Sequence, residues 1–242
     1  MSGHSKWKNI MHKKEKTDAQ RASVFTKIGR EIILAVKEGG PDPASNSKLK
    51  DIITKAKANN VPNDNIERVI KKAAGEDSNV QYEEIVYEGY GPAGIALIVE
   101  ALTDNRNRTA GDVRHYFDKY GGNLGQTGSV NWMFEKKGVI VIDKNEYDED
   151  KFMEDLLEID AEDYVTEEEV YEVYTTPDNF SAVCDAFTEK GYEFLSAEVE
   201  QVPSTYITLT DEDQIKNMQK LLDRLEENDD VQNVWHNWDD NQ

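Results

Sequence analysis

Thr103-Asp104-Asn105-Arg106-Asn107-Arg108-Thr109 is the segment whose residue types point most directly to chemistry. It follows an apolar run that reads as a strand, and it begins a helix. The free backbone N–H groups and positive dipole end of such a helix favour an anion. Arg106 and Arg108 add planar guanidinium forks that match phosphate. The same side chains can instead brace the turn by pairing with Asp104 and nearby carboxylates, so two readings stand side by side. Lys6-Trp7-Lys8 offers a second feature, because charge interleaved with an aromatic face suits stacking on an unpaired base. Against it stands Trp7 folded back as an apolar plug on a small core.

Other constellations do not assemble. Gly122 to Ser129 lacks the lysine of a phosphate loop and precedes a strand instead of opening a helix, so it reads as a structural turn. Asp143, Asn145 and Glu154 fit three positions of a calcium loop, but Asp148 stands where that loop needs glycine. The histidines His4, His12, His115 and His236 form no i, i+4 pair on a helix face, and no zinc centre is expected. Cys184, the single cysteine, sits mid-helix between Val183 and Phe187 and reads as a packed small side chain. No serine–histidine–carboxylate set can be assembled. The expectation is therefore no catalytic residue, no metal, no cofactor and no small-molecule substrate.

Charge is divided along the chain. Of the 28 Lys+Arg and 49 Asp+Glu in 242 residues, residues 1–75 hold 16 and 8, a net of +8. The remaining residues hold 12 and 41, a net of −29 within a total of −21. A basic end on an acidic body points to local contact with a polyanion. The picture is of a cationic head kept apart from an anionic trunk, with docking at one end. A signal peptide and a membrane span are not expected, because the apolar run Ile95 to Val99 is far shorter than the ~20 residues a span needs. A single cysteine fits a reducing compartment, and a cytoplasmic location is expected.

The elements that must hold these residues follow from periodicity. A helix is predicted from about Thr17 to Glu38, with Phe25, Ile28, Ile32 and Val36 on one face and Lys27, Arg30 and Lys37 opposite. Gly39-Gly40-Pro41-Asp42-Pro43 breaks it. Asn46 can cap a second helix that turns Leu49, Ile52, Ile53 and Ala56 inward. A third helix carries Ile66, Val69, Ile70 and Ala73, with Arg68, Lys71 and Lys72 on its outer side. Beyond a polar stretch from Glu76 to Gln81, strands are predicted over 84–88 and 95–102, a helix over 109–120 and a strand over 129–134. From Gly138 to Val199 the order βαββαβ matches the ferredoxin-like pattern. A final strand, helix and strand (206–209, 211–227, 231–235) have no place in that unit. They complete the piece before residue 135 instead, so the ferredoxin-like part is an insertion. The expected fold is α+β and multidomain: a basic arm and helical domain over 1–78, a middle domain over 79–134 plus 203–242, and an acidic ferredoxin-like domain over 135–202.

Several blocks then fall into a familiar order. Ser2-Gly3-His4-Ser5-Lys6-Trp7, Gly40-Pro41-Asp42-Pro43, Asn60-Val61-Pro62 and Tyr87-Glu88-Gly89-Tyr90-Gly91-Pro92 resemble the YebC-type family. So do Thr103 to Thr109 and Gly121-Gly122-Asn123-Leu124-Gly125. That family includes the mitochondrial translational activator of cytochrome oxidase. The resemblance implies a three-domain, non-enzymatic regulator of gene expression. Its members are described as DNA-binding transcriptional regulators, and some are linked instead to the ribosome and to synthesis through proline-rich stretches. Nucleic acid is thus the implied partner: DNA, or ribosomal RNA in the ribosome. The positions implied to touch it are Lys6, Trp7, Lys8, Lys13, Lys14, Arg21, Lys27 and Arg30, with Arg106 and Arg108 second.

Overall fold

The computed structural model describes residues 18–75 and 81–239, with side chains from residue 22 onward. These residues fall into two compact units, one built from 18–75 and 136–200, the other from 81–135 and 201–239.

The first unit begins with α1 (Asp18–Gly39), α2 (Ser47–Ala58) and α3 (Asn63–Ala74). Their shared core holds Ile28, Ile32, Val36, Leu49, Ile52, Ala56, Ile66 and Ala73, the stripe that helical spacing selects. Asn46 joins two of the helices. Its Oδ1 accepts the Leu49 N–H at 3.0 Å, while its Nδ2 donates to the carbonyls of Ala35 and Gly40, both at 2.8 Å. Glycine is required beside it for two reasons. A Cβ on Gly39 would lie 2.7 Å from Asn46 Nδ2, and Gly40 has φ +85°.

The same unit contains most of β4 (Phe134–Asp143), α5 (Glu149–Glu158), β5 (Asp163–Thr166), β6 (Val170–Thr175), α6 (Phe180–Glu189) and most of β7 (Ser196–Pro203). The outer ends of β4 and β7, at 134–135 and 201–203, belong to the second unit. The strand order β5-β6-β4-β7 is the ferredoxin-like arrangement expected from βαββαβ. Ile140, Ile142, Phe152, Leu156, Tyr171, Val173, Val183 and Phe187 fill the space between sheet and helices, with Phe152 stacked on Tyr171 at 3.8 Å. Helix α2 packs against α6, which is why bundle and insertion form one compact body. Lys55 on α2 meets Glu31 of α1 at 3.0 Å and Glu198 of β7 at 3.3 Å. Lys50 pairs with Asp185, and the raised carboxyl of Asp51 faces Ser181.

The second unit comprises β1 (Glu83–Tyr90), β2 (Ala96–Thr103), α4 (Arg106–Lys119), β3 (Asn123–Leu124), β8 (Ile207–Thr208), α7 (Glu212–Glu227), β9 (Val231–His236) and β10 (Trp238–Asp239). Its larger sheet runs β3-β1-β2-β9, with Glu88 of β1 opposite Ile98 of β2. Helices α4 and α7 supply Val113, Phe117, Met218, Leu221 and Leu225 to a core shared with Ile95, Leu97 and Val99. The segment 136–200 interrupts this unit, as the fold class anticipated.

Three expected boundaries move. Residues 129–134 are not a strand: Asn131–Met133 form a short helical turn, and β4 starts only at Phe134. Helix α4 begins at Arg106 instead of Thr109, because Asn105 Oδ1 accepts the Arg108 N–H at 3.1 Å and caps it there. Strand β7, expected from Glu193, starts at Ser196, since Gly191 turns at φ +89° and the Glu193 N–H is taken by the Tyr147 hydroxyl. Among the described residues, no helix is long and apolar enough to cross a membrane.

Candidate nucleic-acid interface

Lys6, Trp7, Lys8, Lys13 and Lys14 lie outside the described residues, and Arg21 is placed on α1 by its backbone alone. Lys27 and Arg30 are half-buried on α1 and each is engaged with a partner. The clean separation of a cationic head from an anionic trunk does not hold along α2. Lys48 pairs with Glu38 at 3.1 Å, Lys50 with Asp185, and Lys55 with both Glu31 and Glu198. Two of these carboxylates come from the inserted acidic part, which folds back against the helix that periodicity alone leaves open to solvent. Burial works against the Lys55 charge, yet the two carboxylates outweigh it and hold the ammonium well above the ordinary lysine range.

Lys57 at the end of α2 and Arg68, Lys71 and Lys72 on α3 are exposed, as are Lys37 and Lys48, which are engaged with partners. Arg68 donates only to the Asn65 side-chain oxygen, at 3.0 Å, so its charge is not cancelled by that contact. Spacing of three and four residues places 68, 71 and 72 on one side of α3, while the carboxylates Asp64 and Glu67 are exposed on the same helix. Sequence reasoning found this cationic side and left it out of the candidate set. Its i, i+3, i+4 spacing was the available signal.

The turn from Thr103 to Thr109 separates its two arginines. Arg108 Nη2 donates to Asp230 Oδ2 at 2.7 Å and to Asp104 Oδ1 at 2.8 Å, and its Nε reaches Asp230 Oδ2 at 3.2 Å. Thr109 donates its hydroxyl to the same Asp230 oxygen at 2.8 Å. Asp230 itself is buried, so the guanidinium serves as its counter-charge and ties the start of α4 to the start of β9. The hydrogen bonds that Arg108 donates to Asp230 and then to Asp104 raise its pKa further, and it stays a cation. Arg108 is thus a brace within the fold. Arg106, two residues earlier, is largely exposed and reaches Glu83 only at 3.9 Å, a loose contact that leaves its fork available.

Glu88 was missed as a functional candidate, and it organises the glycine-rich segment. Its buried carboxylate accepts the N–H groups of Gly128 at 2.7 Å and of Val130 and Asn131, both at 2.8 Å. Burial alone would raise its pKa, but the three N–H donors outweigh it and hold the carboxyl below the usual glutamate value. Close approach explains the glycines nearby. A Cβ on Gly89 would lie 2.7 Å from the Asn123 carbonyl oxygen, and one on Gly125 would lie 2.5 Å from Ser129 Oγ. No spacing rule reveals Glu88, because its partners lie 40 residues or more away.

Cys184 is buried and its thiol is pushed up to about 12, by burial first and then by the Asp51 and Asp185 charges. Such a thiol stays protonated and unreactive at neutral pH. Among the described residues, no three His, Cys, Asp or Glu side chains converge in a metal-holding group.

Two family models match the chain. Residues 5–76 match the TACO1/YebC protein N-terminal domain, and residues 82–238 match the TACO1/YebC second and third domain. A "Probable transcriptional regulatory protein" of Acetivibrio thermocellus is 62% identical, covering 98% of this chain and 99% of its own. One of the same name from Caldicellulosiruptor saccharolyticus is 58% identical, covering 99% of each. Among solved structures, a conserved hypothetical protein, Aq1575 from Aquifex aeolicus, superposes with a TM-score of 0.81 at 45% identity, over 93% of this chain and 92% of that one. Likeness this close along nearly the whole length establishes that the chain belongs to the TACO1/YebC family.

Proposed function

We propose that this chain is a non-enzymatic regulator of gene expression that acts in the cytoplasm and binds nucleic acid through its helical bundle. One observation carries the reading: residues 1–75, the arm and the bundle together, have a net charge of +8 in a chain of net −21, and the bundle exposes Lys57, Arg68, Lys71 and Lys72. Clustered cations release condensed counterions from phosphate, and that release drives association without sequence information. Lys6, Trp7, Lys8, Lys13, Lys14, Arg21, Lys27 and Arg30 are further nucleic-acid contacts in this proposal. Arg106 is a further phosphate contact, and Arg108 is assigned to the fold.

A DNA-binding transcriptional regulator is the reading that the relatives' names support. A ribosome-associated translation factor that contacts rRNA or tRNA and assists synthesis through proline-rich stretches is favoured by the charge distribution. A remainder of −29 resists lying along a duplex, whereas a local cationic tip can enter an RNA-rich site while acidic surfaces face away. The two readings separate in one experiment. Native protein is sedimented with ribosomes at low salt and, in parallel, recovered on genomic DNA fragments. Enrichment in one pool assigns the target; absence from both overturns the proposal.

A further inference from the structure

Trp132 is 74% exposed, an unusual position for the largest apolar side chain. It is nevertheless fixed. Its indole Nε1–H donates to the Ser129 carbonyl at 3.1 Å, and the Tyr90 hydroxyl donates to the same carbonyl at 3.1 Å. The backbone on either side is held by Glu88, whose carboxylate takes the N–H groups of Gly128, Val130 and Asn131. Val130 is completely buried and anchors the short turn that carries the ring. A buried carboxylate and a hydroxyl thus hold an indole in water with its one polar atom already used and its faces open.

The surroundings narrow what those faces would meet. From Tyr120 to Phe134 the chain runs 15 residues without an Asp, Glu, Lys, Arg or His, although it holds 49 carboxylates elsewhere. Asn123, Gln126, Thr127 and Asn131 are exposed along this stretch and offer amide and hydroxyl groups of the kind that pair with base edges. A protein-docking patch would surround the ring with exposed apolar side chains. The only other large hydrophobic exposed among the described residues of this unit is Val86, on β1. An isolated, rigid aromatic among exposed amides, on a stretch whose own side chains carry no charge and whose supporting Glu88 carboxylate is buried, suits an unpaired base.

We propose that Trp132 is a stacking platform for an unpaired nucleobase of single-stranded nucleic acid, a contact that rests on the nucleic-acid reading above and deepens it. A duplex offers no free base face there, so the site distinguishes single strands from paired ones. The test uses the full chain as wild type, Trp132→Phe and Trp132→Ala. The probes are a short mixed-sequence single strand, made as RNA and as DNA, and the corresponding blunt duplex. Trp132→Ala should weaken single-strand binding roughly tenfold to a hundredfold, Trp132→Phe should retain most of it, and duplex binding and melting temperature should not move. The RNA and DNA arms show which strand the site prefers. Unchanged single-strand affinity in Trp132→Ala overturns the platform alone and leaves the nucleic-acid reading standing. So does a phenylalanine variant as weak as alanine, or a lowered melting temperature. A wild type that binds neither strand nor duplex overturns both.

Discussion

Replacing Lys55 by methionine should destabilise the first unit by roughly 3–5 kcal/mol, because it removes the ammonium that bridges two buried carboxylates. Lys55, Glu31 and Glu198 are each more than four-fifths buried, and the lysine bridges them at 3.0 and 3.3 Å. Removing the cation takes away the ammonium that bridges Glu31 and Glu198 and leaves their like charges facing each other. For a chain of this size, the loss corresponds to a melting temperature lower by roughly 6–20 °C. The pH dependence has a definite sign. The folded-state pKa is raised, so the contribution is complete below the ordinary lysine value and fades only as pH climbs through the elevated one. Restoring neutrality by Lys55→Met with Glu31→Gln and Glu198→Gln should recover most of the loss, since a well-packed neutral cluster costs little relative to a buried ion pair. Thermal and urea melts of the single and triple variants check this. A single variant as stable as wild type would mean that water already solvates the carboxylates.

Truncating Glu88 to alanine should cost a comparable amount, roughly 3–5 kcal/mol, but locally. Three backbone donors lose their acceptor, and a buried unsatisfied donor costs about 1–3 kcal/mol. Val130 has no access to water, whereas Gly128 and Asn131 are exposed enough for water to replace part of what is lost. The segment from Gly121 to Met133 should loosen, and hydrogen exchange of the Gly128, Val130 and Asn131 amides should accelerate well before the rest of the sheet. The pKa of Glu88 is lowered in the fold, so its contribution is present above the ordinary glutamate value and is lost as pH falls through the depressed one. If those three amides exchange at wild-type rates in Glu88→Ala, the carboxylate does not organise the segment. Because Trp132 stands on the same turn, the variant should also weaken single-strand binding, in parallel with Trp132→Ala.

What the sequence made legible was whatever depends on neighbours within one element. The stripe Ile28, Ile32, Val36 and the cap Asn46 follow from local spacing and from the short reach of an asparagine side chain, and the structure places them as expected. The βαββαβ order is likewise enough to imply the strand order of the insertion, because a right-handed crossover admits few alternatives. Local capping, by contrast, was underused: Asn105 lies one residue before the observed start of α4, yet the apolar residues Val113, Tyr116 and Phe117 drew the predicted start three residues late.

The candidate site was less legible because its decisive contacts span the chain. For Arg108 the sequence leaves both phosphate contact and a turn brace open, with the brace favoured, and Asp230, 122 residues away, is what the fold brings beside it. Lys55 has no carboxylate from the insertion beside it in sequence, and Glu198 reaches it only through the fold. Net charge counted along the sequence overstated the free cationic surface for the same reason: folding chooses which lysines meet carboxylates, and composition does not.

The central claim is that exposed cations of the helical bundle dock on phosphate, and its most direct measurement is the salt dependence of the full chain's affinity for nucleic acid. If about 4–6 phosphates are neutralised, log K should fall with log salt at a slope near −3 to −5. The slope should flatten when Lys57, Arg68, Lys71 and Lys72 are changed to glutamine. An affinity that does not vary with salt, or a slope untouched by those four substitutions, would contradict the account.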